Sequence, residues 1–428
     1  MEPSAADPGL LAELAGRAEA MLAGDDAERA RRYPGPSAAR QPVHTAYVPA
    51  DRFSASTPRQ WGRAALQALA EHGPLPGFDS AEHDAVRAKL EREPIEDLRI
   101  DFEDGYGVRP DEAEDAAVVA AAQALAELLA TGQAPPFTGL RIKSLEPAVR
   151  RRGLATLVLF LDNLLEHETL PAGFRVTLPK VTSVAQVQVM ADCCAVLETR
   201  LGLVAGQLRF EIQVETPQAV LGPDGTALVA PMLTAADGRC AGLHYGTYDY
   251  SASLGIAAAF QSLDHPAADH AKAVLQVAAA ETGVPVSDGS TNVLPVGDTA
   301  AVRAAWQLHA GLVRRSLERG FYQGWDLHPA QLPTRYAATF RFFTDGLAAA
   351  AARLAAYRQR LQTGIADEPA TVRALTDYLA RGVACGAISG QQAASAELRN
   401  EAEPCGAAEL RNEAEPSGSV GTEPEPGG

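Results

Sequence analysis

Short apolar runs alternate along the chain with longer stretches in which apolar residues recur every third or fourth position. The run HTAYVPA (44–50) predicts a strand, and TPRQWGRAALQALAEHG a helix after it. DLRIDFE (97–103) precedes the helical DEAEDAAVVAAAQALAELLATG, and GLRIKS (139–144) precedes EPAVRRRGLATLVLFLDNLLEH. FRVTLPK (174–180) leads into SVAQVQVMADCCAVLETRLG, and LRFEIQVE (208–215) into a shorter helix near Ala227–Ala236. AGLHYGTYD (241–249) runs into a helical stretch ending at Thr282. VPVSDGSTNV (284–293) precedes DTAAVRAAWQLHAGLVRRSLERG, and YQGWDLH (322–328) precedes PAQLPTRYAATFRFFTDGLAAAAARLAAYRQRL.

Strict alternation of this kind implies a parallel sheet with right-handed crossovers, and eight units imply an α/β fold closed as a (β/α)8 TIM barrel. An open doubly wound sheet is the alternative, but no strand opens into a G-x-G-x-x-G turn and there is no P-loop. The expected organisation is an N-terminal helix and linker over 1–40, a catalytic barrel over 41–365, an extra C-terminal helix over 366–388 and a disordered tail over 389–428. In that tail AELRNEAEP occurs at 396–404 and again at 408–416, with too little apolar surface to build a core.

Charge narrows the partners. The net charge is −17, of which eight Glu and two Arg in 396–428 supply −6, leaving −11 elsewhere. That balance argues against nucleic acid and against an anionic membrane. No window approaches the run of about 18 apolar residues that a membrane span needs. The first residues lack a basic start followed by an apolar run, so no secretory signal is expected, and the expected location is the cytoplasm. The five cysteines include no C-x-x-C pair and read as inert thiols.

In a barrel the C-terminal strand ends carry the chemistry. The stretch LRIDFEDGYG (98–107) places Leu98, Ile100 and Phe102 on one strand face and Arg99, Asp101 and Glu103 on the other. Strand two ends in Glu103 and Asp104, strand three in Arg141 and Lys143, strand four in Lys180, strand five in Glu215 and strand six in Asp249. Strand seven carries Asp288 and Asn292, and strand eight ends in Asp326 and His328, so all of these are expected to converge on one mouth. Glu103, Asp104, Glu215 and Asp249 total −4 and Arg141 with Lys180 returns +2, a deficit that a divalent cation would fill. Oxygen ligands without His or Cys favour Mg²⁺ or Mn²⁺. Gly246 is expected where a backbone passes close to a ligand with its N–H groups free.

The motifs DFEDGYG, LRIKS, LPKV, VETPQAV, YGTYDYSASLG and GWDLHPAQL, in this order over roughly residues 42–345, resemble those of the citrate lyase β-subunit, malyl-CoA lyase and 2-oxo-acid aldolase superfamily. GLHYGTYDY and LRIKSLE also resemble the malate synthase branch. The resemblance implies a Mg²⁺-dependent carbon–carbon lyase acting on a small 2-oxo acid or its acyl-CoA adduct, assembled as a trimer or hexamer. It implies that Glu215 and Asp249 ligate the metal while Glu103 and Asp104 hold its waters. Arg141 and Lys180 are then the catalytic residues, and backbone amides of Gly246, Thr247 and Tyr248 bind the substrate carboxylate.

Several positions depart from the family pattern. Lys143 replaces the usual Asn, Gly-Tyr follows the acidic pair, and 73–97 reads as an insertion before strand two. Arg52, Arg59 and Arg63 are either a coenzyme A phosphate contact or an ordinary solvated face. The general acid/base is unassigned: His44 begins its strand at the wrong end, His328 reads as holding a loop, and Asp377 lies on the C-terminal helix. His265 and His270, at i,i+5, fall on different helix faces and are no metal pair. Two further readings remain: a malate-synthase-like acyl-CoA condensing enzyme, and a barrel that binds without catalysing.

Overall fold

The computed structural model describes residues 7–37, 39–358 and 368–395. Its strands are β1 (His44–Pro49), β2 (Asp97–Asp101), β3 (Phe137–Arg141), β4 (Phe174–Leu178), β5 (Phe210–Val214), β6 (Cys240–Tyr245), β7 (Val286–Ser287) and β8 (Gly324–Asp326). They form one sheet in the order β7-β6-β5-β4-β3-β2-β1-β8, parallel throughout. The seam between the seventh and eighth strands is bridged by Asp288 N to Gln323 O at 2.8 Å and Trp325 N to Gly289 O at 3.1 Å. The fold is the expected (β/α)8 barrel.

Helices α1 (Pro8–Arg32), α2 (Thr57–His72), α3 (Ser80–Arg92), α4 (Asp111–Ala130), α5 (Arg150–Leu165) and α6 (Val184–Leu201) belong to the first half. The second half holds α7 (Pro217–Val220), α8 (Val229–Ala235), α9 (Thr247–Ser253), α10 (Pro266–Ala279), α11 (Thr299–Glu318), α12 (Leu332–Arg358), α13 (Pro369–Ala384) and α14 (Gly390–Ser395). The apolar core lies between sheet and helices. Ile100 and Phe102 pack outward with Val118, Ala122 and Leu125 of α4 and Leu157, Phe160 and Leu164 of α5.

The segment 73–97 is more than a connecting insertion, because α3 forms within it. Asp79 accepts from the Glu82 amide and Glu82 accepts from the Asp79 amide, a reciprocal cap that satisfies two otherwise unpaired donors. Val86 and Leu90 of α3 then join a second core with Tyr336 and Phe340 of α12. That core also receives Leu379 of α13, Cys385 and Ile388, so the C-terminal helix docks on its own barrel. In contrast, α1 buries no residue. The repeats at 396–404 and 408–416 lie outside the described residues. Among the described residues no helix is long and apolar enough to cross a membrane.

The inside of the barrel is polar, where branched aliphatic side chains usually fill it. Arg99, fully buried, donates from Nη2 to Asp97 Oδ2 at 2.8 Å and to Glu211 Oε1 at 2.9 Å. Thr45 donates to Asp97 and Thr177 to Glu211, at 2.8 and 2.9 Å. Gly139 makes room for this layer: a Cβ there would lie 2.4 Å from Arg99 Nη1 and 1.7 Å from the Arg175 carbonyl oxygen.

Candidate active site

Above that layer the C-terminal strand ends bring charged groups together from β2 through β6. The Asp101 carboxylate closes the turn after β2 by accepting the amides of Glu103 at 2.9 Å and Gly105 at 2.8 Å. The same carboxylate takes Arg141 in a two-pronged pair, Nε to Oδ1 at 2.7 Å and Nη2 to Oδ2 at 2.6 Å. The guanidinium carbon also sits 4.9 Å from the Tyr47 ring centre. Only Nη1 of Arg141 remains loosely held, 3.5 Å from both Glu103 Oε2 and Gln213 Oε1.

Lys180 follows β4 with φ +52°, a left-handed backbone that non-glycine residues adopt uncommonly. This bend aims the residue both ways. Its amide donates to Glu215 Oε1 at 2.8 Å, while its ammonium lies 2.5 Å from Glu103, 2.9 Å from Asp104 and 3.6 Å from Asp249. The second oxygen of Glu215 accepts from Gln213 Nε2 at 2.5 Å. The structure therefore gathers Glu103, Asp104, Arg141, Lys180, Glu215 and Asp249 at one mouth.

Their titration follows from burial. Glu215, 2% exposed, is pushed up to about 8 by burial and by Glu103 and Asp249, against Lys180 and Arg141. Glu103 rises to about 7 through burial and the neighbouring Asp104, again against the two cations. Lys180 is itself raised: burial opposes its charge, but Glu103 and Glu215 hold the proton on. Asp101 enlarges the expected formal deficit: with every group ionised, five carboxylates would face two cations, and the raised Glu103 and Glu215 relieve part of that imbalance by holding protons.

Hard carboxylate oxygens in partly dry surroundings, two of them pushed toward neutrality, suit a divalent cation of the Mg²⁺ type. Among the described residues no group of three or more His, Cys, Asp or Glu is arranged to hold a metal. Mg²⁺ does not require one, because it binds through one or two carboxylates and keeps several waters. The donor set fits the ion.

Other expected mouth residues lie elsewhere. Asp288, 2% exposed, turns outward to Lys272 Nζ at 3.0 Å and Ser316 Oγ at 2.5 Å. Asp326 is fully buried with Arg335 and with His44 Nδ1, 2.8 Å away. Both tie the barrel to its helices, since a strand side chain one position out of phase faces the opposite side. Lys143 likewise turns outward, to Glu114 Oε2 and the Phe102 carbonyl at 2.7 Å each. Asp377 lies on α13 and influences Tyr322, just before β8, which is the end away from the mouth.

The Gly246 amide is not free, since it donates to the Val214 carbonyl at 2.9 Å. Glycine is needed there because a Cβ would come within 2.4 Å of the Glu215 Cβ and 2.6 Å of its Oε2. Thr247, 2% exposed, donates its hydroxyl to the Ser290 carbonyl at 3.2 Å, and the Tyr248 hydroxyl accepts the Asn292 amide at 2.5 Å. His328 Nδ1 accepts from the Ala330 amide at 3.2 Å and so holds a loop, and His265 caps α10 in the same way at 3.1 Å. Arg59 and Arg63 line a groove with Pro94, Ile95 and Pro136, beside the beginnings of β2 and β3 and away from the mouth. Sequence reading passed over Asp101 and Gln213 as site residues. Both share a strand face with Glu103 and Glu215 by the two-residue period, and that was the available signal.

A protein-family model described as "Domain of unknown function (DUF6986)" matches residues 22–410. No curated protein matches the chain. Among solved structures, protein CitE of Mycobacterium tuberculosis, in complex with magnesium, acetoacetate and coenzyme A, is 22% identical with a TM-score of 0.49, over 81% of this chain and 99% of that one. The citrate lyase beta subunit of M. tuberculosis with oxaloacetate and magnesium is 20% identical at a TM-score of 0.42, over 69% and 96%. A lead(II) complex of Haloferax volcanii malate synthase is 14% identical at 0.47, over 79% and 88%.

Proposed function

We propose that this chain, which belongs to the family described as a domain of unknown function (DUF6986), makes or breaks a carbon–carbon bond beside the carbonyl of a small 2-oxo acid in the cytoplasm. The observation that carries this reading is the mouth itself: carboxylates in excess around Lys180, with one loosely held guanidinium nitrogen beside them. Glu215 and Asp249 are assigned to hold Mg²⁺ or Mn²⁺, with Glu103 and Asp104 facing its waters. When bound, the metal supplies a Lewis acid to the oxygens of the oxo acid.

Arg141 does the chain's own part of the work. Its Nε and Nη2 are committed to Asp101, which fixes the guanidinium plane before substrate arrives. Nη1 is then the donor for a substrate oxygen that gains negative charge as the bond to the neighbouring carbon breaks. A donor placed in advance at low dielectric favours that charge over the neutral ground state. Lys180, held protonated, keeps Glu103 and Asp104 in place and lends positive charge to the same region. The backbone amides of Thr247 and Tyr248 are assigned the substrate carboxylate, because the first amides of a helix have no carbonyl one turn back.

Proton NMR in D₂O with Mg²⁺ or Mn²⁺, following the methyl groups of pyruvate and of acetyl-CoA in separate tubes, tests this. The expected result is metal-dependent loss of the pyruvate signal, slowed about 100-fold or more in Arg141→Gln. Loss of the acetyl-CoA signal instead would establish the condensing reading. Persistence of both signals with either metal would sink the enzyme reading and leave a binding barrel.

A further inference from the structure

The opposite end of the barrel encloses a cavity of about 230 Å³ that the chemistry at the mouth does not use. Its walls are mostly residues at or next to the strand starts, with His244 further along β6, and linker residues 36, 37 and 39–42 together with Arg381 of α13 help to line it. Three arginines reach it without a carboxylate partner among the described residues. Arg175 donates from Nη1 only to the carbonyls of Ala172 at 2.9 Å and Phe174 at 2.7 Å. Arg209 donates from Nη2 to the Cys240 carbonyl at 3.0 Å, and its buried Nε has no partner. Arg381 donates to Gln41 Oε1 at 2.8 Å and stacks on Tyr322.

Among the described residues the acids on the same walls form no ion pair with these three arginines. Asp97 and Glu211 are held by Arg99 deeper in the barrel, which leaves Glu281 alone against three guanidiniums. His244, 1% exposed, also lines the cavity and keeps Nδ1 without a partner. Burial, and next the neighbouring Arg209, push Arg175 below the usual arginine value, even though Glu211 and Asp97 act in the opposite direction. Partly buried charge without a counter-charge is costly to keep unless something else supplies the charge.

We propose that this cavity binds a small dianion of the carboxylate or phosphate class, its oxygens bridging Arg175 and Arg209. Guanidinium forks match such oxygens in pairs, and the volume suits a molecule of a few heavy atoms. The third arginine connects the bound anion to α13 and, through Gln41, to the linker. The anion therefore fastens the two chain segments that meet at the barrel floor.

Titration calorimetry and thermal melting of the full chain with inorganic phosphate and with succinate, against chloride at equal ionic strength, test the proposal. Saturable binding of either anion is expected, with a melting temperature that climbs with the logarithm of its concentration. Arg209→Gln should weaken binding about tenfold or more, whereas Arg141→Gln at the mouth should leave it unchanged. Phosphate alone, or succinate alone, would name the class. Equal effects of chloride, indifference to Arg209→Gln, or loss in Arg141→Gln would overturn the assignment. If Arg209→Gln does not fold, Arg381→Gln carries the same test from α13.

Discussion

Two layers of acids and cations inside the barrel, one around Arg99 and one around Arg141 and Lys180, reach different charge balances. In the lower half, Arg99 stands between Asp97 and Glu211, with Thr45, Thr177 and His244 completing the contacts. Against the penalty of burial, Arg99 and His244 hold Glu211 down to about 2, while burial and Glu211 push Asp97 up. One guanidinium reaches both carboxylates, so neither lacks a buried partner. In the upper half, five carboxylates meet two cations, and Glu103 and Glu215 rise to about 7 and about 8. A balanced layer serves stability. An unbalanced one awaits a cation.

The largest way to break this contrast is Arg99→Met, which strands Asp97 and Glu211 inside the barrel. A loss of about 3–5 kcal/mol is expected by denaturant unfolding. A loss under about 1 kcal/mol would mean that the lower layer tolerates imbalance as the upper one does.

Glu215→Gln sharpens the contrast by pH. The folded pKa, about 8, lies above the ordinary 4.5, so the buried neutral carboxyl favours folding most below 4.5. That contribution is lost as pH rises through about 8. Metal-free protein should therefore lose stability between pH 5 and 8, and Glu215→Gln should flatten this slope, ending about 1–2 kcal/mol the more stable of the two at the upper limit. Added Mg²⁺ should restore stability to the parent only. Thermal melts across that range check all of this, and an unchanged slope would remove Glu215 as the source.

The smallest effect on stability belongs to Asp249→Asn, whose side chain is 45% exposed. It should move stability by less than about 0.5 kcal/mol. Mn²⁺ affinity, followed by electron paramagnetic resonance, should nevertheless fall about tenfold. Equal affinity in parent and variant would remove Asp249 from the ligand set.

Much of the architecture was legible because apolar period and strand–helix alternation are local properties. β4, at Phe174–Leu178, falls within the expected FRVTLPK, and the pairing of the barrel follows from parallel crossovers alone. The Asp79–Glu82 cap that starts α3 is also a local signal, though it lies within the segment 73–97 that the motif pattern marks as an insertion. Among the site residues, Glu103, Lys180 and Glu215 stood out as charges at strand ends. Asp288 and Asp326 stood out equally and turned out to face the helices, because a strand that ends after two or three residues leaves its phase undetermined by pattern.

Eight strand–helix units, the barrel they build and the excess of acid at its C-terminal end all follow from residue type and spacing along the chain. Which acids are answered, and by what, depends on the folded chain. It gave Arg141 to Asp101, 40 residues earlier in the chain, and gave the Glu215 carboxylate to the amide of Lys180, 35 residues earlier. It also set Arg175 and Arg209 around a cavity that has too few acids to match them. Charge compensation depends on distance and burial in three dimensions, and no run of neighbouring residues encodes either.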